Sequence, residues 1–210
     1  MSVSTLAKRP VTLLILAAIA AFVTSVAYKA LAAPFAVEDF PDSLYVKVER
    51  IPAIFTVHMV TGGLALLLVP LAIALSSRPR WHRPVARIAA LDIVIAGITA
   101  FPVALVAPVT RVSAAGFSAQ GAAWLVLLVT GIVFIRHKQV VRHRECMLLL
   151  AAVTSGAVFF RVFLALWAIF GSLRWFEWFY ALDAWIAWLT PLAVMAFLIK
   201  RGGGFKTNRR

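Results

Sequence analysis

Hydrophobic positions gather into six long runs, at about residues 11–33, 52–75, 85–106, 119–135, 146–170 and 184–199, separated by short polar breaks. Each run approaches the roughly 17–25 residues that a helix needs to cross a bilayer. The pattern predicts an all-α integral membrane protein with six transmembrane helices in one domain. The first run follows Lys8 and Arg9, as the core of a signal peptide would, but it is longer than such cores and carries Lys29 near its far end. It reads as a retained first span. Pro52 suits a first helical turn. Gly62-Gly63, inside the second run, permits close helix contact.

The breaks differ in character. Pro34–Glu49 holds Glu38, Asp39, Asp42 and Glu49 among prolines and aromatics, and predicts an ordered loop at the membrane surface. SSRPRWHRP and RHKQVVRHR predict basic loops, and Pro108–Ser118 predicts a short connection. GSLRWFEWFYALD, residues 171–183, predicts an interfacial belt of aromatic side chains.

Composition strengthens the membrane reading. The chain is 63% hydrophobic with a mean hydropathy of +0.95, whereas apolar residues make up about half of a soluble domain. The net charge of +13 does not indicate nucleic acid, because the basic residues alternate with long apolar runs. It indicates topology instead. Fifteen of the 21 Lys and Arg residues fall at the N-terminus, the second-to-third break, the fourth-to-fifth break and the tail. All of these lie on one side of a six-span arrangement. The positive-inside rule places that side, with both termini, in the cytoplasm, where the basic loops face anionic lipid. The single Cys146 excludes an internal disulfide framework.

A weak repeat bears on the architecture. His82-Arg83 and His143-Arg144 precede the third and fifth runs at equivalent places in two successive hairpins. The repeat predicts a core of helices two to five, with helices one and six beside it.

Ionisable groups inside a span are costly and often mark function. His58 lies ~10 Å below the outer surface on the second run, and Arg161 ~15 Å below it on the fifth, at 1.5 Å per residue. They are close enough in depth to share one cavity. Asp92, ~10 Å from the inner surface, is too far along the normal to pair with Arg161. Arg161 is either a structural arginine, satisfied by carbonyls, Asp183 or Glu177, or a clamp for a carboxylate, a haem propionate or a lipid head. His58 is either a satisfied interior histidine or a haem ligand, metal ligand or proton carrier. Asp92 reads as a partner for inner-surface basic groups or as a proton relay.

The His-Arg pairs, with Arg83 and Arg144, read first as anchors on anionic lipid. The sharper reading brings His82 and His143 together to hold a metal or haem, or to clamp a phosphate or quinone headgroup. His143, Cys146 and Met147 also make copper conceivable. Arg111 sits in the connection on the opposite side. The chain contains no Gly-rich phosphate loop, G-x-S-x-G or H-E-x-x-H, which argues against ATP-driven transport or proteolysis by this chain alone.

These pieces together resemble an uncharacterised bacterial family of multi-pass membrane proteins, a domain of unknown function. The matching residues are His58-x3-Gly62, His82-Arg83 with Arg87, Gly116-Phe117, the run His143-Arg144-Glu145-Cys146-Met147, and Arg161. The chain departs from that pattern at Ala86, where glycine is usual, and at Ile88-Ala89, where an aromatic is usual. The layout is also similar to the cytochrome b561 type, in which four core helices supply two histidine pairs to two b haems. That resemblance implies haem, but His58 has Gln120 rather than a histidine at its depth on the fourth run. Only His82 with His143 could form a pair.

The functional expectation is a redox-associated membrane protein binding haem b or a quinone, with His58, Arg161, His82 and His143 as its working groups. Two rivals stand beside it. One is a non-enzymatic accessory subunit of a membrane complex, and the other is a carrier of a small molecule or lipid in a His58–Arg161 cavity.

Overall fold

The computed structural model describes residues 3–35 and 42–202. Among these residues every regular element is helical: α1 (Val3–Ala32), α2 (Asp42–Arg50), α3 (Pro52–Ala74), α4 (Pro79–Leu105), α5 (Arg111–Arg136), α6 (Val140–Phe170) and α7 (Phe176–Arg201), with short 3-10 turns between some of them. Five of these, α3 to α7, are long and apolar enough to cross a membrane. In α1, the stretch that is apolar among the described side chains is the shorter Ala17–Ala32.

Several breaks are more helical than the polar pattern predicts. Most of SSRPRWHRP is the first turns of α4, with Pro79 at the start, where a missing N–H costs nothing. His82 and Arg83 are therefore helical. The connection before α5 ends early because Thr110 caps the helix: Ser113 N donates to Thr110 Oγ1 at 3.0 Å, and Thr110 N donates to Ser113 Oγ at 3.1 Å. The RHKQVVRHR break shrinks to a turn in which Lys138 takes a left-handed φ of 59°. Residues 171–183 are a 3-10 turn at Leu173–Trp175 and the first turns of α7. Leu173 and Trp178 are largely exposed, as a belt requires, but Asp183 is completely buried. The acidic loop is in part helix α2, and Glu38 and Asp39 lie outside the described residues.

In packing, α3 lies against α4, α4 against α5, α5 against α6, and α6 returns to α3. Helix α1 runs along α3, and α7 along both α5 and α6. The central core joins Ala65 and Val69, Ile93 and Ala96, Trp124 and Leu128, Leu150 and Val153, and Trp188 from α7. The outward faces remain apolar, with Leu91, Ile98, Val126 and Ile169 all more than half exposed. That is a surface suited to lipid.

Small residues set the closest approaches. A Cβ on Gly116 would meet the Ala184 carbonyl oxygen at 2.8 Å, so the backbones of α5 and α7 touch there. A Cβ on Gly63 would meet the Ala27 carbonyl oxygen at 3.0 Å, which fixes α1 against α3.

Candidate functional site

A cavity of about 220 Å³ opens inside the bundle, at the end holding α2 and the α4–α5 connection. His58, Gly62 and Phe55 come from α3, Gln120, Phe117 and Trp124 from α5, Arg161, Phe160 and Thr154 from α6, and Tyr180 from α7. His58 and Arg161 thus line the same space. No acidic residue is among the described residues that line it.

His58 is oriented from α4. Its Nδ1 lies 3.1 Å from the Ala96 carbonyl oxygen and 3.3 Å from Thr99 Oγ1. The Thr99 hydroxyl donates to the Ile95 carbonyl at 2.7 Å, which leaves its oxygen free to accept. A carbonyl only accepts, so Nδ1 carries the proton. In the neutral ring, Nε2 is then a lone pair, able to accept a hydrogen bond or a proton.

Arg161 donates from Nη1 to the Ala157 carbonyl of its own helix at 2.8 Å. Asp183 is not its partner, since neither carboxyl oxygen of Asp183 has one among the described residues. Much of the guanidinium fork therefore remains available to an acceptor in the cavity. Gln120 Nε2 is engaged by the Val153 carbonyl at 3.1 Å, and Trp124 Nε1 by Thr154 Oγ1 at 2.8 Å.

Three rings build one wall. Phe117, Phe160 and Tyr180 meet edge to face, with centroids 5.2, 5.4 and 6.0 Å apart. At the mouth, Lys47 of α2 is buried and donates from Nζ to the carbonyls of Val103 and Val106 at the end of α4. The ammonium complements the negative end of that helix. Burial pushes its pKa below the ordinary lysine value of 10.5.

Residues 55–199 match the family model described as "Predicted membrane protein (DUF2306)". The chain belongs to this family. The match runs beyond the motif-bearing region into α7, so Tyr180 and Asp183 fall within it. No curated protein and no solved structure matches the chain. Together, the family and the five long apolar helices make it a multi-pass membrane protein.

The remaining sequence candidates of this DUF2306 protein lie away from the cavity. His82 Nδ1 is 2.9 Å from the Ala72 carbonyl, and His143 Nδ1 is 2.8 Å from the Gly131 carbonyl. Each histidine ties the start of one helix to the end of the helix before it. The two hairpins therefore share one device, and both rings keep Nε2 as the lone pair. Asp92 is buried in α4, with Oδ2 unpartnered among the described residues. Arg83, Arg144 and Arg111 are exposed. Cys146 is buried and free. Among the described residues, no three of His, Cys, Asp and Glu are grouped to hold a metal ion.

Lys47 and the aromatic wall are not legible in the sequence as parts of a site, although the place of Lys47 in a stretch after two prolines is a signal. Asp183 is legible only as a possible partner of Arg161, which it is not among the described residues. Tyr180 is hidden by the density of Trp and Phe around it, which reads as interface.

Proposed function

We propose that this protein binds the ring of a quinone in the His58–Arg161 cavity, as a redox-associated component of the membrane. The observation that carries the reading is the combination, in one aromatic-walled space, of a guanidinium, an imidazole lone pair and no described acid. A quinone carbonyl accepts from Arg161. A quinol hydroxyl donates to His58 Nε2, and when the quinol gives two electrons to a redox partner subunit that nitrogen takes one of the two protons released while the other goes to water. Flat rings pack against Phe117, Phe160 and Trp124. The volume is below the roughly 300–1,000 Å³ of drug-sized sites, which suits one ring with its tail outside. The test is solvent extraction of the purified protein followed by mass spectrometry. A co-purified quinone, depleted in Arg161→Gln, supports the reading, and an extract without quinone beyond the lipid background overturns it.

Haem b is the second reading, and one observation favours it. An imidazole that ligates metal usually donates its other N–H to a carbonyl or carboxylate, and His58, His82 and His143 all do so. A haem held by His82 and His143 at the basic end would colour the protein. The visible spectrum, oxidised and then reduced with dithionite, decides this: sharpened α and β bands that vanish in His143→Ala establish it, and a colourless protein from haem-replete cells removes it.

The setting we propose is a six-span protein of the bacterial inner membrane, with α1 as the first span and both termini cytoplasmic. The four helices α3 to α6 form most of the core, α7 adds Trp188 to it, and α1 flanks it. The exposed arginines at the basic end, Arg83 and Arg144 among them, rest on anionic lipid. Electrons reach or leave a bound quinone through another membrane subunit, which makes this chain one component of a complex.

A further inference from the structure

A second polar group lies behind the wall of the cavity. Asp183 on α7 is fully buried, at 0% exposure, and neither of its oxygens has a hydrogen-bond partner among the described residues. Tyr180 and Ala187, which lie one turn to either side of it on the same helix, both line the cavity. Helices α5 and α7 are in backbone contact beside it, at Gly116 and Ala184.

A carboxylate in that position is the least favourable of the states open to it. Buried charge is tolerated inside a membrane when it is paired, and no cation pairs with Asp183. On its own helix the nearby titratable group is Tyr180. Helix α5 carries ionisable residues only at its ends, Arg111 and Arg136. Helix α6 offers Arg161, whose depth is within about one helical turn of Asp183, because the Phe160 and Tyr180 rings meet at 5.4 Å. Arg161 is turned away, onto Ala157.

We propose that Asp183 is a proton-binding site behind the wall of the cavity, holding one proton as a neutral carboxylic acid at neutral pH. Binding is simple addition: the carboxylate takes a proton from hydronium, which is left as water, and the buried charge is removed. The proton passes back to water when Arg161 turns from Ala157 toward the carboxyl and supplies the missing cation. The site does not depend on the occupant being a quinone.

Infrared spectroscopy of the protein in lipid nanodiscs tests this. Asp92, the other buried acid among the described residues, is first removed as Asp92→Asn to leave Asp183 as the buried carboxyl under observation. We expect a carboxylic-acid C=O band at neutral pH in that variant, moved by Asp183→Glu and lost in Asp183→Asn. Absence of the band in Asp92→Asn, with carboxylate absorption in its place, overturns the proposal and needs no Asp183 variant to fold. The band persists whether or not quinone co-purifies, so the two readings fail separately.

Discussion

His58 on α3 is held by Ala96 on α4: Nδ1 sits 3.1 Å from the Ala96 carbonyl oxygen, and this one contact fixes which ring nitrogen is left for the cavity. The interaction anchors the helix pair and sets the chemistry of the site together. It predicts a split between His58 variants. His58→Ala removes one donor from the Ala96 carbonyl, which Thr99 Oγ1 still engages at 3.1 Å, at a cost of about 0.5–1.5 kcal/mol, and it also removes the acceptor for a ligand. His58→Asn keeps a short donor for Ala96 but lacks the imidazole lone pair. Unfolding in detergent should rank Asn above Ala, while quinone binding falls in both.

Arg161→Gln should weaken quinone binding by about 10- to 100-fold, the value of a hydrogen bond to a charged group at roughly 1.5–3 kcal/mol. Its melting temperature should stay near that of the wild type, because the Ala157 carbonyl that Arg161 engages still accepts within the helix. Equal affinity in the two proteins would remove Arg161 from the site.

Gly116→Ala and Gly62→Ala should behave oppositely. A Cβ at Gly116 strikes the Ala184 backbone, and overpacking of that kind costs about 1–3 kcal/mol. A Cβ at Gly62 meets nothing within 4 Å, so stability should change by less than about 0.5 kcal/mol. Denaturant titration of both variants in one detergent checks the contrast.

Lys47→Met should loosen the end of α4, because the carbonyls of Val103 and Val106 lose their donor. The wild type also carries a pH signature. Burial lowers the folded-state pKa of Lys47 below 10.5, so between that lowered value and the ordinary one the unfolded chain binds more protons. Stability therefore rises with pH through that alkaline window in the wild type. The rise should be absent in Lys47→Met, and melting curves across the window measure it.

The helical, membrane-spanning character was legible because lipid leaves the backbone few choices and the apolar runs have the right length. The depth of His58 and Arg161 followed from helical rise alone. The helix starts were less legible. Pro79 and Pro84 look like a loop but are tolerated in the first turns of α4, and the Thr110–Ser113 cap was passed over. The burial of Asp183 was out of reach for a different reason. Nothing in FEWFYALD tells which of its two acids, Glu177 or Asp183, points inward; that distinction is made by the contact of α7 with Gly116 on α5, far away in sequence.

The most direct measurement is quinone titration of the nanodisc-embedded protein, followed through quenching of tryptophan fluorescence, with Gly62→Leu beside the wild type. Leucine at 62 projects into the cavity from a position with open space around its Cβ. The wild type should bind saturably, and Gly62→Leu should lose binding while melting at the wild-type temperature. Saturable binding that is unchanged in a well-folded Gly62→Leu would contradict the cavity as the quinone site.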